Sequence, residues 1–329
     1  MTELYDVAAI GNAIVDVIAP ASDDFLAENR MDKGSMMLID EARGMELYGK
    51  MAAGIEASGG SAGNTIAGVA SFGGRAAYLG KVAQDQLGDV FAHDMRAIGA
   101  HFDTPRLIGG PATARCLINV TPDGERTMST YLGASTEFAA DDVDAAVIEG
   151  AKIVYLEGYL FDAEAARRAF AKAAGLARGA GRMIAITLSD GFVVERHRQA
   201  LLGFIESQVD LVFANDTELT ALFETEDFEL AMAKVRNKVK IAAVTRGASG
   251  SRIVAGDETF DVSAFPVEKV VDTTGAGDQY AAGFMFGLAK GRPLNVCGQL
   301  GSLAASEVIS HYGPRPLVNL KDLAASKGL

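Results

Sequence analysis

The chain is poor in the residues on which several common chemistries depend. Its two cysteines, Cys116 and Cys297, stand far apart and match no metal-ligand spacing, so buried, reduced thiols are expected rather than a disulfide framework or a zinc site. Four histidines, His93, His101, His197 and His311, show neither ligand spacing nor a nucleophile partner, which points them to surface or core roles. Basic residues are outnumbered, 30 Lys and Arg against 43 Asp and Glu, and the formal charge of −13 speaks against a nucleic-acid or anionic-membrane surface. No apolar run is long enough to cross a bilayer. The start, Met1-Thr-Glu-Leu-Tyr-Asp6, lacks the basic region and apolar stretch of a secretory leader, so a cytoplasmic location is expected. No Gly-x-x-x-x-Gly-Lys-Ser/Thr loop occurs, nor does Gly-x-Gly-x-x-Gly follow the first apolar run, which argues against a nicotinamide-dependent dehydrogenase.

What is present is ample apolar material, 49% of 329 residues, with 22% charged, enough for a large core. Short runs rich in Val and Ile, at 5–10, 152–156, 183–188, 209–214 and 240–245, predict buried strands. Between them, residues 162–179, 196–208 and 228–238 carry apolar residues at helical spacing. Strand and helix in that rhythm predict an α/β fold whose mostly parallel sheet is covered by helices, with ligands at the carboxyl ends of the strands. Residues from about 13 to 39 and from 113 to 132 break the rhythm with alternating, strand-like patterns. The second turns at Thr121-Pro-Asp-Gly124, a hairpin signal. Such an element is either a surface decoration or a cover over a site.

The most informative segment is Asp272-Thr-Thr-Gly-Ala-Gly-Asp278, followed at once by a small-residue helix. Gly275, Ala276 and Gly277 place the free N–H groups of a first helical turn, and the positive end of its dipole, around one point. Asp278 stands at the rim of that anion cradle, either as a helix cap or as a base. The whole string resembles the C-terminal signature of the ribokinase-like (PfkB) carbohydrate and nucleoside kinases. The resemblance implies that the glycine run holds the transferred phosphate and that Asp278 accepts the proton of the substrate hydroxyl. Three further segments resemble the same family. Gly11-Asn-Ala-Ile-Val-Asp16 puts a carboxylate inside an apolar run, where it either caps a turn or meets a ligand diol. Gly59-Gly-Ser-Ala-Gly-Asn64 precedes a helix and is similar to the N-terminal signature that grips sugar hydroxyls, implying substrate contacts from Asn12, Asp16, Gly60, Ser61 and Asn64. Asn215-Asp-Thr-Glu218 reads as a capping box and also resembles the motif that organises Mg²⁺, its waters and nucleotide phosphates.

Val244-Thr-Arg-Gly-Ala-Ser-Gly250 is similar to the segment lining the ATP site, which implicates Thr245, Gly247 and Gly250; Arg246 either stacks on adenine, reaches a phosphate or is solvated. The resemblance covers nearly the whole chain, from Gly11 to Gly313-Pro-Arg-Pro316, and implies one ribokinase-like three-layer unit over 1–329 with a β lid from about 13–39 and 113–132. It implies an ATP-dependent kinase using Mg²⁺ through water on Glu218, with K⁺ near Asp272 as a further expectation. The small-molecule acceptor is expected to be a nucleoside, adenosine first, because the Gly-Asn opening, Asp16 and Asn64 resemble the adenosine-kinase branch, especially its bacterial members. Residues 190–198 resemble a segment of those members too. Thr274 stands where many eukaryotic adenosine kinases carry Asn, so a free sugar is the alternative acceptor, and a non-catalytic ligand sensor the alternative class. Monomer and homodimer are both open.

Overall fold

A computed structural model describes residues 4–329. Thirteen strands are present among them: β1 (Tyr5–Ile10), β2 (Ile14–Pro20), β3 (Met36–Leu38), β4 (Ile55–Gly59), β5 (Ala76–Leu79), β6 (Ala114–Val120), β7 (Arg126–Tyr131), β8 (Ala151–Glu157), β9 (Met183–Thr187), β10 (Leu211–Asn215), β11 (Ile241–Thr245), β12 (Ser251–Ala255) and β13 (Glu258–Val262). Eight of them form one sheet in the order β13-β12-β11-β10-β9-β8-β1-β5. It is parallel from β5 to β11 and closes with an antiparallel edge, β11-β12-β13.

Burial explains why these runs are strands. Along β1, Val7 and Ala9 enter one core while Ala8 and Ile10 enter another, so both faces are covered and the sequence reads as continuously apolar. Helices Ser61–Ser71 and Ala276–Ala289 lie over the face of Val7 and Ala9, helices Glu164–Gly179 and Gly191–Gln208 over the face of Ala8 and Ile10. This is the expected α/β sandwich of three layers. Register then positions the site. Ile10 pairs with Leu79 and with Leu156, Glu157 with Thr187, and Asn215 with Thr245, so the carboxyl ends of the parallel strands are level. The loops leaving those ends converge on one edge.

A second sheet of five strands, in the order β3-β7-β6-β2-β4, stands beside that edge. The two stretches read as alternating supply four of its strands, with two corrections. Residues 23–28 are helical rather than extended, because Ser22 caps Phe25 and two acids fill the first turn. The strand β4 comes from outside both stretches and pairs antiparallel with β2. Helix Gly191–Gln208 also begins earlier than its periodicity suggested, since the Asp190 side chain accepts the Val193 N–H and starts a turn there.

Candidate active site

Helix Ala276–Ala289 opens on Gly275, whose left-handed conformation (φ 80°) a side chain would strain, and any Cβ there would strike Pro314 at 2.7 Å. No side chain caps this helix. Asp278, in its first turn, therefore does not play the cap role: its carboxylate reaches across to helix Ser61–Ser71, accepting 2.6 Å from Ser61 Oγ and 3.2 Å from Asn64 Nδ2. Burial pushes the acid up to about 6, against the two hydrogen bonds that favour its charged form. Asp278 is therefore a stronger base than an exposed carboxylate, yet still mostly ionised at neutral pH.

Helix Ser61–Ser71 is preceded by Gly60, again with positive φ (80°), and its missing Cβ would sit 2.4 Å from the Asn12 carbonyl oxygen. With no capping side chain of its own, this helix end is held by Glu157, at the carboxyl end of β8. Glu157 accepts the Ala62 N–H at 2.8 Å on one oxygen, and the Asn12 Nδ2 and backbone N–H at 3.1 and 3.3 Å on the other. It is fully buried and pushed up to about 7 by that burial. Asp16, on β2, is buried as well and raised to about 6, with burial the main cause and the charges of Arg315 and Arg126 pulling it back. Arg315 donates from Nη1 to Ser58 Oγ (2.8 Å) and from Nε to Asn64 Oδ1 (3.3 Å).

Asp272 closes the same region. One of its oxygens accepts the Thr274 N–H at 3.0 Å, and the other accepts the Gly313 N–H at 3.1 Å and pairs with Arg126 of β7 at 3.0 Å. The pair is buried on both sides, and Arg126 Nε and Nη1 have no protein partner. An enclosed guanidinium with two free donors, delivered by the second sheet to the glycine run, is suited to an anion held there.

Asn215 and Glu218 form the reciprocal capping box that their spacing suggested: Asn215 Oδ1 accepts the Glu218 N–H at 2.7 Å, and Glu218 accepts the Asn215 N–H at 3.0 Å. Glu218 is nonetheless buried and raised to about 7, first by burial and then by the negative charges of Asp190, Asp216 and Asp278. Thr245, Gly247 and Gly250 line a mostly apolar cavity of about 480 Å³, together with Ala276 and Gly277 of the glycine run. Asn215 and Glu218 lie outside that wall. Arg246 stacks over Phe228 at 4.3 Å from the ring centroid, so it neither faces the cavity nor hangs free. The 190–198 stretch is occupied structurally: Arg196 and His197 both bind Asp162, and Arg198 binds Glu224.

The expected residues thus gather at one edge in two groups, Asn12, Asp16, Gly60, Ser61, Asn64 and Asp278 on one side of the glycine run, Thr245, Gly247 and Gly250 on the other. Glu157, Arg126 and Arg315 belong to the first group and were not anticipated. Glu157 could have been suspected as a carboxylate ending a buried strand; the arginines carry no local signal. Among the described residues no helix is long and apolar enough to cross a membrane, and no cluster of three or more His, Cys, Asp or Glu could hold a metal ion by itself.

The pfkB family carbohydrate kinase profile matches residues 38–320, and the chain belongs to that family of kinases. Among solved structures, the adenosine kinase from Sinorhizobium meliloti is 54% identical with a TM-score of 0.91, covering 98% of this chain and 99% of that one. A probable sugar kinase protein from Rhizobium etli CFN 42 is 49% identical with a TM-score of 0.92, covering 100% and 99%. Adenosine kinase 2 of Arabidopsis thaliana is 26% identical over 92% of this chain and 93% of its own.

Proposed function

We propose that this pfkB-family kinase transfers the γ-phosphoryl group of ATP to the primary 5′ hydroxyl of a ribonucleoside, adenosine first among candidates, with Asp278 as the base. The observation that carries the reading is the placement of Asp278: a buried carboxylate raised to about 6, beside an uncapped helix start and facing the sugar-type ligands Ser61 and Asn64. Asn12, Asp16 and Asn64 would hold the sugar hydroxyls, with Gly60 allowing close backbone approach. Adenosine is favoured over a free sugar by the relatives that carry that name on both sides of the comparison, at 54% and 26% identity. The sugar-kinase alternative keeps its support from the 49% relative.

The apolar cavity at Thr245, Gly247 and Gly250 fits a nucleotide base, and it leads to Gly277, where phosphates would meet backbone N–H groups. Glu218 fits an outer-sphere role toward Mg²⁺, because a carboxylate crowded by other acids gains most from a nearby cation. Mg²⁺-bound ATP supplies the phosphoryl group and the charge neutralisation at its oxygens. Residues of the chain do the rest. Asp278 takes the acceptor's proton as the acceptor oxygen bonds to phosphorus and the bond to the leaving ADP oxygen breaks. The Gly275–Gly277 amides and the free donors of Arg126 stabilise the negative charge on the group in flight. The second sheet acts as the lid, bringing Arg126 with it and excluding water. A potassium ion beside Asp272 has weaker support, since both oxygens are already engaged, and no step depends on one.

The test is turnover of ATP with adenosine, inosine, ribose and fructose, with the product's phosphorylated position read by NMR, and Asp278→Asn run alongside. Adenosine 5′-monophosphate formed by the wild type and a loss of about 10²–10⁴-fold in the variant, with ATP binding retained, are expected. Near-normal turnover by Asp278→Asn would sink the base assignment, and preferential use of ribose or fructose would replace the acceptor.

A further inference from the structure

The tail segment Gly313-Pro-Arg-Pro316 lies far along the chain from the sugar-side helix, yet it meets that helix directly through Arg315 and indirectly through Gln279. Gln279, the residue after Asp278, is fully buried and donates from Nε2 to the backbone oxygens of Asn64 (2.9 Å) and Pro314 (3.0 Å). Arg315 donates from Nε to the side-chain oxygen of the same Asn64, while its Nη1 is anchored on Ser58. Ser58 is in turn held by its backbone N–H on Asp94, at 2.8 Å. Gln279 therefore links the Asn64 main chain to the tail, and Arg315 fixes the Asn64 side chain directly.

The amide chemistry makes the second contact directional. A guanidinium can only donate and an ionised carboxylate can only accept. Placed between Arg315 and Asp278, the Asn64 amide has one orientation that satisfies both: Oδ1 toward Arg315 and Nδ2 toward Asp278 Oδ2. Without the guanidinium, Oδ1 has no donor and the amide is free to turn toward water or ligand.

We propose that Arg315 is a positioning residue for the base, holding Asn64 in the single amide orientation that donates to Asp278. The proposal rests on the reading of Asp278 as the base. The titratable groups that feel the charge of Asp278 are Asp16 on β2, Tyr155 and Glu157 on β8, Tyr159 in the turn that follows, and Glu218 at the start of helix Asp216–Leu222; none is a cation. Arg315 and Arg126 act on this group through Asp16. Its ionised form thus depends on the Ser61 and Asn64 donors. Losing one of them raises the proton affinity of Asp278, and because the ionised form is the active one, the acid limb of kcat moves to higher pH.

The experiment is the pH profile of kcat, with thermal melting alongside, for wild type, Arg315→Met, Arg315→Lys, Asn64→Ala and the Arg315→Met/Asn64→Ala double variant. The acid limb is expected to move up by about one pH unit in Arg315→Met and in Asn64→Ala, the size of one hydrogen bond to a charged group. The double variant should move no further than either single one, since both remove the same interaction. Arg315→Lys, which keeps the charge without the fork, should shift part of the way and decides the matter should Arg315→Met fail to fold. An unshifted limb in Arg315→Lys or Arg315→Met, with a lowered melting temperature, assigns Arg315 a structural role only and overturns the proposal, as do additive shifts in the double variant. A turnover-competent Asp278→Asn would instead remove the base reading itself.

Discussion

On one side of the glycine run, Asn12, Asp16, Asn64, Glu157 and Asp278 are packed into an enclosed space with the heads of Arg126 and Arg315, whose Nε, Nη1 and Nη2 groups include three buried donors without a protein partner. On the other side, the wall of the 480 Å³ cavity is built from Ala248, Ala264, Val267, Ala305 and their neighbours, with hydroxyls and backbone but no charged side chain. The first half is a hydrogen-bonded polar network with three arginine donors left over; the second is a shape. Physical chemistry gives these two designs different powers. A site built to bond a hydroxyl leaves buried groups unpaired when that hydroxyl is missing, whereas an apolar wall separates ligands only by fit. The acceptor half should therefore be strict and the nucleotide half tolerant.

The largest effect is expected from deleting a bond on the strict side. An acceptor lacking one of the hydroxyls facing Asp16 should lose about 10³-fold or more in kcat/KM, and Asp16→Ala should weaken acceptor binding by about 10²–10³-fold by calorimetry. Replacing ATP by GTP should change kcat/KM by no more than about 10²-fold. A reversal of that order, with donor choice sharper than acceptor choice, would break the comparison.

Next in size is Arg126, which the second sheet brings to Asp272 at the start of the glycine run. Arg126→Met removes two free donors and leaves Asp272 without its 3.0 Å partner. A fall in kcat of about 10²-fold is expected, with the acceptor's affinity changed little. If steady-state kinetics show the loss in acceptor KM instead, Arg126 belongs to binding rather than to charge stabilisation. A smaller effect is expected on the tolerant side: Ala305→Leu narrows the cavity and should raise the KM for ATP by about tenfold while leaving the acceptor's KM unchanged.

The contrast also accounts for what could be read from the sequence. Five of the six parallel strands of the larger sheet were legible because both of their faces are buried, the run at 5–10 matching β1 residue for residue, whereas β5, four residues long and half alanine, escaped. The antiparallel edge, β12 and β13, escaped because Glu258, Thr259 and Asp261 face outward and dilute the apolar signal. Helix Asp23–Glu28 was masked by the strand-like residues on either side of it. Within the site, Gly60, Asn64 and Asp278 sit in compact strings where several constraints act on neighbouring residues. Arg126 and Arg315 act through space, one from a hairpin and one from the tail, and nothing within a few residues of either marks its destination. The raised proton affinity of Asp278 is likewise set by burial under distant elements, which is not a local property of the sequence.

The polar half carries a cost that makes a last, smaller prediction. Asp16 and Asp278 are held near 6, and Glu157 and Glu218 near 7, in each case chiefly by burial. Their values in the unfolded chain are about 4. A folded state with raised pKa values binds more protons than the unfolded one across that interval, so stability is fully present below about pH 4 and falls as pH rises through 6 and 7. The carboxylates held low by partners, such as Asp6, Asp85 and Asp162, pull the other way only below about pH 4, outside the window. On the proposed mechanism catalysis runs in the opposite direction, because Asp278 as the base must be ionised to accept a proton. The ligand-free protein should therefore melt about 5 °C lower at pH 8 than at pH 5.5, while kcat rises over the same range. Saturating acceptor should flatten the melting profile by setting further hydroxyl donors against Asp16 and Asp278, which favours their charged forms. A melting temperature that is level or rises with pH in the free protein would mean that water or ions already relieve the acids, and that the acceptor half is less strained than its geometry implies.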